Sequence, residues 1–379
     1  MTAQATSRVG RKSGWIAKPD GSITHAQIAF TDRIIALEPA SGADDDYILP
    51  GLVDLQVNGS HGIDVMNASA DAVATLSRHL AHEGTTAWMP TAVTAPIEKI
   101  ALVHDSIASA FENSRGDDSA GHAAILGMHL EGPFISPLRL GAHPTLNLEP
   151  RGDAFERVLA MRALRLITLA PELSGGLDAI RRLSARGVVA SIGHTNATLD
   201  EANAGIGAGA RMFTHLFNAM RPLNHRDPGV IAAALAPSPA LAALIPDGVH
   251  VHPAMLRLAV KARGKDGVIL VSDKVALAQT SGSEKIVGRA RATVRDGAAR
   301  LEDGTLAGSI ISMLDGIRVM VEKAGVSIGD AAVMAATNPA SLVGANDRGR
   351  IEIGARADLI VLSQALELKS VFIGGREIR

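Results

Sequence analysis

The chain has 379 residues, a formal net charge of −2 and no cysteine. That length suits one large α/β barrel with a small accessory domain. A near-neutral chain without a basic block argues against nucleic acid as a partner, and the absence of thiols excludes disulfides and thiolate metal sites.

Apolar residues make up 47% of the chain and aromatic residues 3%, so the core must rest on Ala, Val, Leu and Ile. The stretch MTAQATSRVGRKSGW lacks the apolar run of a signal peptide. The most apolar segment, 231–246, is cut by Pro237, Pro239 and Pro246 and makes a poor membrane span. A cytoplasmic protein without a membrane partner is expected.

In chain order, residues 14–48 read as short strands with turns, and the closing segment 350–379 has the same character. Together they predict a small β-sandwich domain built from both termini, residues 1–48 and 350–379. Between them, apolar strand-like runs recur at 51–57, 85–90, 124–130, 164–170, 187–193, 210–215, 243–248 and 267–272. Helix-like stretches such as 71–83 and 177–186 separate most of them. Eight such runs predict a (β/α)8 TIM-type barrel over residues 49–349.

Polar residues follow these runs: Gln56 and Asn58, Thr91, Glu131, Glu172, His194, His215, His250 and Asp273. The C-terminal ends of barrel strands converge on one face, where active sites form. Glu131, His194 and His215 supply one carboxylate and two imidazoles, a three-ligand set for one divalent ion with an open position. Zinc is the simplest occupant, and iron, manganese or cobalt can use the same ligands. Such an ion lowers the pKa of water toward neutrality. Any one of these residues alone reads best as an ordinary packed histidine or carboxylate. Of the other histidines, His129 reads as core, His252 as structural, and His61 as no ligand.

The motifs LPGLVDLQVNG, GMHLEGPFISP, GAHP, GHTNAT, THLFNAM, DGVHV, LVSD and LAGS occur here in one order. GRIEIGARADLIVL closes the chain. From residue 47 to residue 363 this series resembles the N-acetylglucosamine-6-phosphate deacetylases of the amidohydrolase superfamily. The resemblance implies hydrolysis of an N-acetyl group from a 6-phosphorylated amino sugar, with acetate as a product. It implies Glu131, His194 and His215 as metal ligands and Asp273 as general base, passing a proton from water to the departing amine. It implies His143 near the acetamido group, helping to stabilise the oxyanion. Asn218, Ala219, Arg226 and His250 fall at phosphate- and sugar-binding positions, and Met313 where the sugar pocket is lined. In the family the arginine comes from the neighbouring subunit, so a homodimer is implied.

The sequence departs from the pattern in three places. Gln56 and Asn58 stand where many amidohydrolases carry two histidines for a second metal. Amides bind such ions more weakly, so one metal per subunit is expected, with a vestigial second position. Lys274 follows Asp273 where small residues are usual, close enough to lower the pKa of Asp273 or to alter the loop. Leu140 replaces a more usual lysine before GAHP. Three alternatives compete with the leading function. They are the galactosamine epimer as substrate, a cyclic-amide or nucleobase substrate, and a catalytically dead barrel. The phosphate-site residues argue against the second, and the retained ligands and Asp273 against the third.

Overall fold

The computed structural model describes residues 9–40, 44–114, 121–146, 148–280, 284–287 and 290–379. The N-terminal part of the chain forms β1 (Gly10–Ala17), β2 (Ile23–Phe30), β3 (Ile34–Pro39) and β4 (Tyr47–Pro50). The barrel opens with β5 (Leu52–Val57) and β6 (Thr85–Val93), joined by the helix α1 (Ala70–His82). It continues with β7 (Met128–Glu131), β8 (Leu164–Leu169), β9 (Val189–Ile192), β10 (Met212–Phe213), β11 (Leu241–Leu244) and β12 (Val268–Leu270). These strands pair in sequence order from β5 to β12, all parallel.

Each strand is buried almost throughout, because helices cover the outer face and side chains fill the inner one. Val53, Leu55, Met89, Leu166, Met212 and Ile269 pack together in one buried cluster. Helix α1 shows how the outer layer forms. Ser69 caps it by accepting from the N–H of Ala72, and Val73, Leu76, Leu80 and Ala81 recur at the spacing of one helical face. The seventh run ends early, at Leu244, because Pro246 lacks the N–H a strand needs.

The barrel closes between β12 and β5 without a regular ladder. The N–H of Asp273 donates to Gln56 O at 2.9 Å, and the N–H of Asn58 to Lys274 O at 2.9 Å. Below them the buried Asp54 carboxylate accepts from the backbone of Gln56 and Ser272, both at 3.2 Å.

After β12 the chain makes an antiparallel excursion, β13 (Glu284–Val287), β14 (Ala290–Arg295) and β15 (Ala298–Leu301). It was not foreseen in the sequence. Its signal was the pair Asp296-Gly297, both at positive φ (48° and 77°), as a two-residue hairpin turn requires. The chain then returns through β16 (Leu359–Leu362), β17 (Leu368–Ile373) and β18 (Arg376–Glu377) to join the first strands. The resulting seven-stranded sheet has the order β18-β17-β16-β4-β1-β2-β3. It has its own small core, including Ile16, Ile28, Phe30, Ile48, Leu359 and Phe372. Among the described residues, no helix is long and apolar enough to cross a membrane.

Candidate active site

Glu131 ends β7, His194 follows β9 and His215 follows β10, so barrel closure alone brings them together. Glu131 Oε1 lies 3.2 Å from His194 Nε2 and 2.9 Å from His215 Nε2, and the two nitrogens are 3.1 Å apart. His194 Nδ1 donates to the carbonyl of Arg139 at 2.9 Å, which leaves the Nε2 lone pair for a cation. All three side chains are buried. Three converging acceptors cannot share one proton well, so the donor set fits a divalent ion. His194, His215 and Asp273 all sit at positive φ (47°, 30° and 50°), turned from the strand direction into the barrel mouth.

The charges are strongly interdependent. Burial opposes the charge of Glu131, yet the imidazoles of His143, His194 and His215 gathered around it hold it well below the usual carboxylate range. Burial and then the charge of His143 lower His194 to about 4. Burial also opposes charge on His215, but Glu131 outweighs it and raises the pKa. Burial, and next the charge of Glu131, push Asp273 up to about 7. In the metal-free chain the environment of His215 therefore favours a proton more than that of His194 does. Loading a cation must displace it and also favours ionised Asp273. Metal affinity is thus expected to weaken as pH falls through about 7, with more protons released per ion in acid than in alkaline buffer. Calorimetric titration in buffers of different ionisation enthalpy reads both quantities. An affinity independent of pH would show that no proton is displaced.

Gln56 and Asn58 carry amide groups to the same point. Gln56 Nε2 donates to Glu131 Oε1 at 2.9 Å and to Asp273 Oδ1 at 3.0 Å, and Asn58 Nδ2 donates to Asp273 Oδ1 at 2.7 Å. Histidines at these positions offer lone pairs to a second cation; the amides offer hydrogens to the two carboxylates instead. This hydrogen-bonding role was not read from the sequence, because both amides were assigned by position only.

A cavity of about 780 Å³ opens above the metal ligands. His143 and Asp273 line it, as do Asn218, Ala219 and His250. His143 Nδ1 meets Thr94 Oγ1 at 2.8 Å, and its Nε2 lies 3.6 Å from Glu131 Oε2. His250 is oriented through Nδ1 by Asp247 at 2.6 Å. The N–H of Asn218 is already bonded to His215 O at 3.0 Å, whereas Ala219 holds positive φ (49°) at the cavity wall. Gly308 of LAGS is required by close approach: a Cβ there would lie 2.7 Å from Asp273 O.

Two expectations change, for Met313 and for the Lys274 side chain. Met313 does not line the cavity; Ser312 caps the helix that Met313 begins and turns Met313 into the hydrophobic core. The Lys274 ammonium does not face Asp273 and so does not set its charge; it points away to Glu83. Arg226 is exposed and lies outside the cavity of its own chain. His129 is buried between Leu55 O (3.0 Å) and Thr168 Oγ1 (2.9 Å), and His252 caps a helix by accepting from Ala254 N. Glu172 anchors the loop after His194 through Thr195 and Asn196. The excursion β13–β15 contributes Val287 and Arg300 to the cavity, and the segment after it contributes Leu306. A strand-end search misses such residues because they lie far along the chain from any barrel strand.

A buried carboxylate with two imidazoles, beside a second carboxylate of raised pKa, on the C-terminal face of a parallel barrel defines a metal-dependent hydrolase. Comparison with known proteins agrees. The amidohydrolase family matches residues 47–378. The N-acetylglucosamine-6-phosphate deacetylase of Bacillus subtilis is 36% identical over 94% of this chain and 90% of its own. The N-acetylgalactosamine-6-phosphate deacetylase of Escherichia coli O157:H7 is 34% identical over 94% and 96%. The crystal structure of a mutant N-acetyl-D-glucosamine-6-phosphate deacetylase from Mycobacterium smegmatis, in complex with N-acetyl-D-glucosamine-6-phosphate, superposes with a TM-score of 0.89. It is 30% identical, covering 97% of this chain and 99% of that one. The chain belongs to the amidohydrolase family, among its N-acetylglucosamine-6-phosphate deacetylases.

Proposed function

We propose that this protein hydrolyses the N-acetyl group of N-acetylglucosamine 6-phosphate, releasing acetate and glucosamine 6-phosphate. The observation that carries this reading is the meeting of Glu131, His194 and His215 with Asp273 in one cavity that also holds Asn218, Ala219 and His250. A divalent cation held by Glu131, His194 and His215 would polarise the amide carbonyl and acidify a water, with zinc the simplest choice for this donor set and iron, manganese or cobalt the alternatives.

Asp273 takes the proton from the attacking water and delivers it to the amine nitrogen as the C–N bond breaks. Its raised pKa suits a group that must both accept and release a proton near neutrality. Gln56 and Asn58 hold its Oδ1 in place, and Gln56 bridges it to Glu131. His143 stands beside Glu131 to meet the oxygen on which charge develops. Asn218 and Ala219 bind the sugar phosphate, with His250 near the sugar, and Arg226 completes the phosphate subsite from the neighbouring subunit of a homodimer. The exposure of Arg226 outside its own cavity supports this arrangement. The reading also places the enzyme in the cytoplasm, one metal per subunit, with residues 1–48 and 350–379 as a β domain beside a barrel of 49–349.

Acetate release should require the phosphate and be lost when Arg226→Ala removes its cation, chiefly through a raised KM. Assays with the phosphorylated sugar, its unphosphorylated form and the galactosamine epimer test this. Equal rates with and without phosphate would sink the substrate assignment. The galactosamine epimer is the second reading, favoured by the 34% identity to the Escherichia coli enzyme of that specificity. Faster turnover of that epimer would select it.

A further inference from the structure

Lys274 follows Asp273 directly, yet its side chain runs the opposite way and is fully buried. Its ammonium pairs with Glu83, which ends helix α1. Glu83 also faces His61 Nε2 at 3.7 Å, and the His61 ring stacks on His79 with centroids 4.2 Å apart. An ammonium withdrawn from water this completely stays buried only while its counter-ion is in place.

The backbone around Lys274 is stitched to the end of β5. Lys274 O accepts from the N–H of Asn58 (2.9 Å) and of Gly59 (3.1 Å), Ala276 O from Gly62 (2.9 Å) and Ala278 O from His61 (2.8 Å). The fit admits no slack, because a Cβ on Gly59 would lie 2.3 Å from Ile63 O and 3.0 Å from Ala276 N. On the other side Ser309 N donates to Asp273 O at 2.9 Å. Asp273 itself holds φ at 50°. A non-glycine residue persists in that conformation only when its surroundings over-determine it.

We propose that Lys274 and Glu83 form a positioning pair that anchors the β12 loop to helix α1 and so holds Asp273 in line with Gln56 and Asn58. The pair touches neither substrate nor metal ligands; it acts through the backbone of residues 273–274. The inference rests on the reading of Asp273 as the proton carrier.

In Lys274→Met, kcat should fall about tenfold or more, the scale on which small misplacements act. KM should stay within about twofold and metal content should be unchanged. Lys274→Arg should recover most of the loss. Wild-type kcat in metal-loaded Lys274→Met overturns the proposal. Should that variant fail to fold, Glu83→Gln, which retains a hydrogen-bond acceptor, should show the same split at smaller amplitude, and unchanged kcat there overturns it equally. Amide hydrogen exchange reads the clamp without substrate. Faster exchange confined to 56–62 and 271–278 in either variant supports the pair, and unchanged exchange overturns it. A wild-type protein inactive on every sugar would sink the functional reading, while the exchange data would still decide the clamp.

Discussion

Asp273→Asn should lower kcat by about 10²- to 10⁴-fold, the range for loss of a positioned acid–base group. The fold should survive, since the new side chain can turn its carbonyl oxygen toward Gln56 Nε2 and Asn58 Nδ2, which now lie 3.0 and 2.7 Å from Oδ1. Metal content should survive as well, because Glu131, His194 and His215 are intact. What disappears is the buried group able to take a proton from water. The sign of the pH effect follows. Asp273 must be ionised to accept that proton, so activity rises with pH through its pKa. That pKa is about 7 without metal and lower with a cation present. The acid limb of the kcat/KM profile should therefore vanish in the Asn variant. Steady-state acetate release across pH measures both effects. A variant with wild-type kcat would transfer the proton step to another group, with His143 and His250 next in reach of the cavity.

His215→Ala should empty the metal site and cost on the order of 10³-fold or more in activity, since several kcal/mol of charge stabilisation go with the ion. It removes one of three donors and also a principal partner of Glu131, whose carboxylate stays buried. Added zinc should raise the melting temperature of the metal-depleted wild type, because an ion at a thousand times its Kd stabilises by about 4 kcal/mol. The variant should gain little. Elemental analysis beside thermal unfolding with and without zinc gives the answer. Full metal occupancy in His215→Ala would mean that other ligands hold the ion.

The architecture was legible because barrel strands announce themselves locally. Runs buried on both faces must be continuously apolar, and the residue after each run must point to the mouth. That reasoning found Glu131, His194, His215 and Asp273 from separate parts of the chain. It failed where side-chain direction depends on a neighbour. Lys274 looked like a modulator of Asp273, but left-handed backbone at Asp273 sends the next side chain outward to Glu83. Met313 looked like a pocket residue, but the Ser312 cap fixes the helix start and buries it. Gln56 and Asn58 looked like relics of a metal site, but two carboxylates converge on their amides.

By itself the sequence determined the number and order of the barrel strands, the pairing of both termini in one β unit, and the residue types available for metal and proton chemistry. These follow from periodicity and from the rule that strand ends share a face. Only the tertiary structure decided how β12 meets β5, which way Lys274 points, and that the β13–β15 excursion walls the cavity. Those features arise from contacts between residues distant in the chain. Closure geometry and burial, rather than local pattern, set which partner each polar group finds.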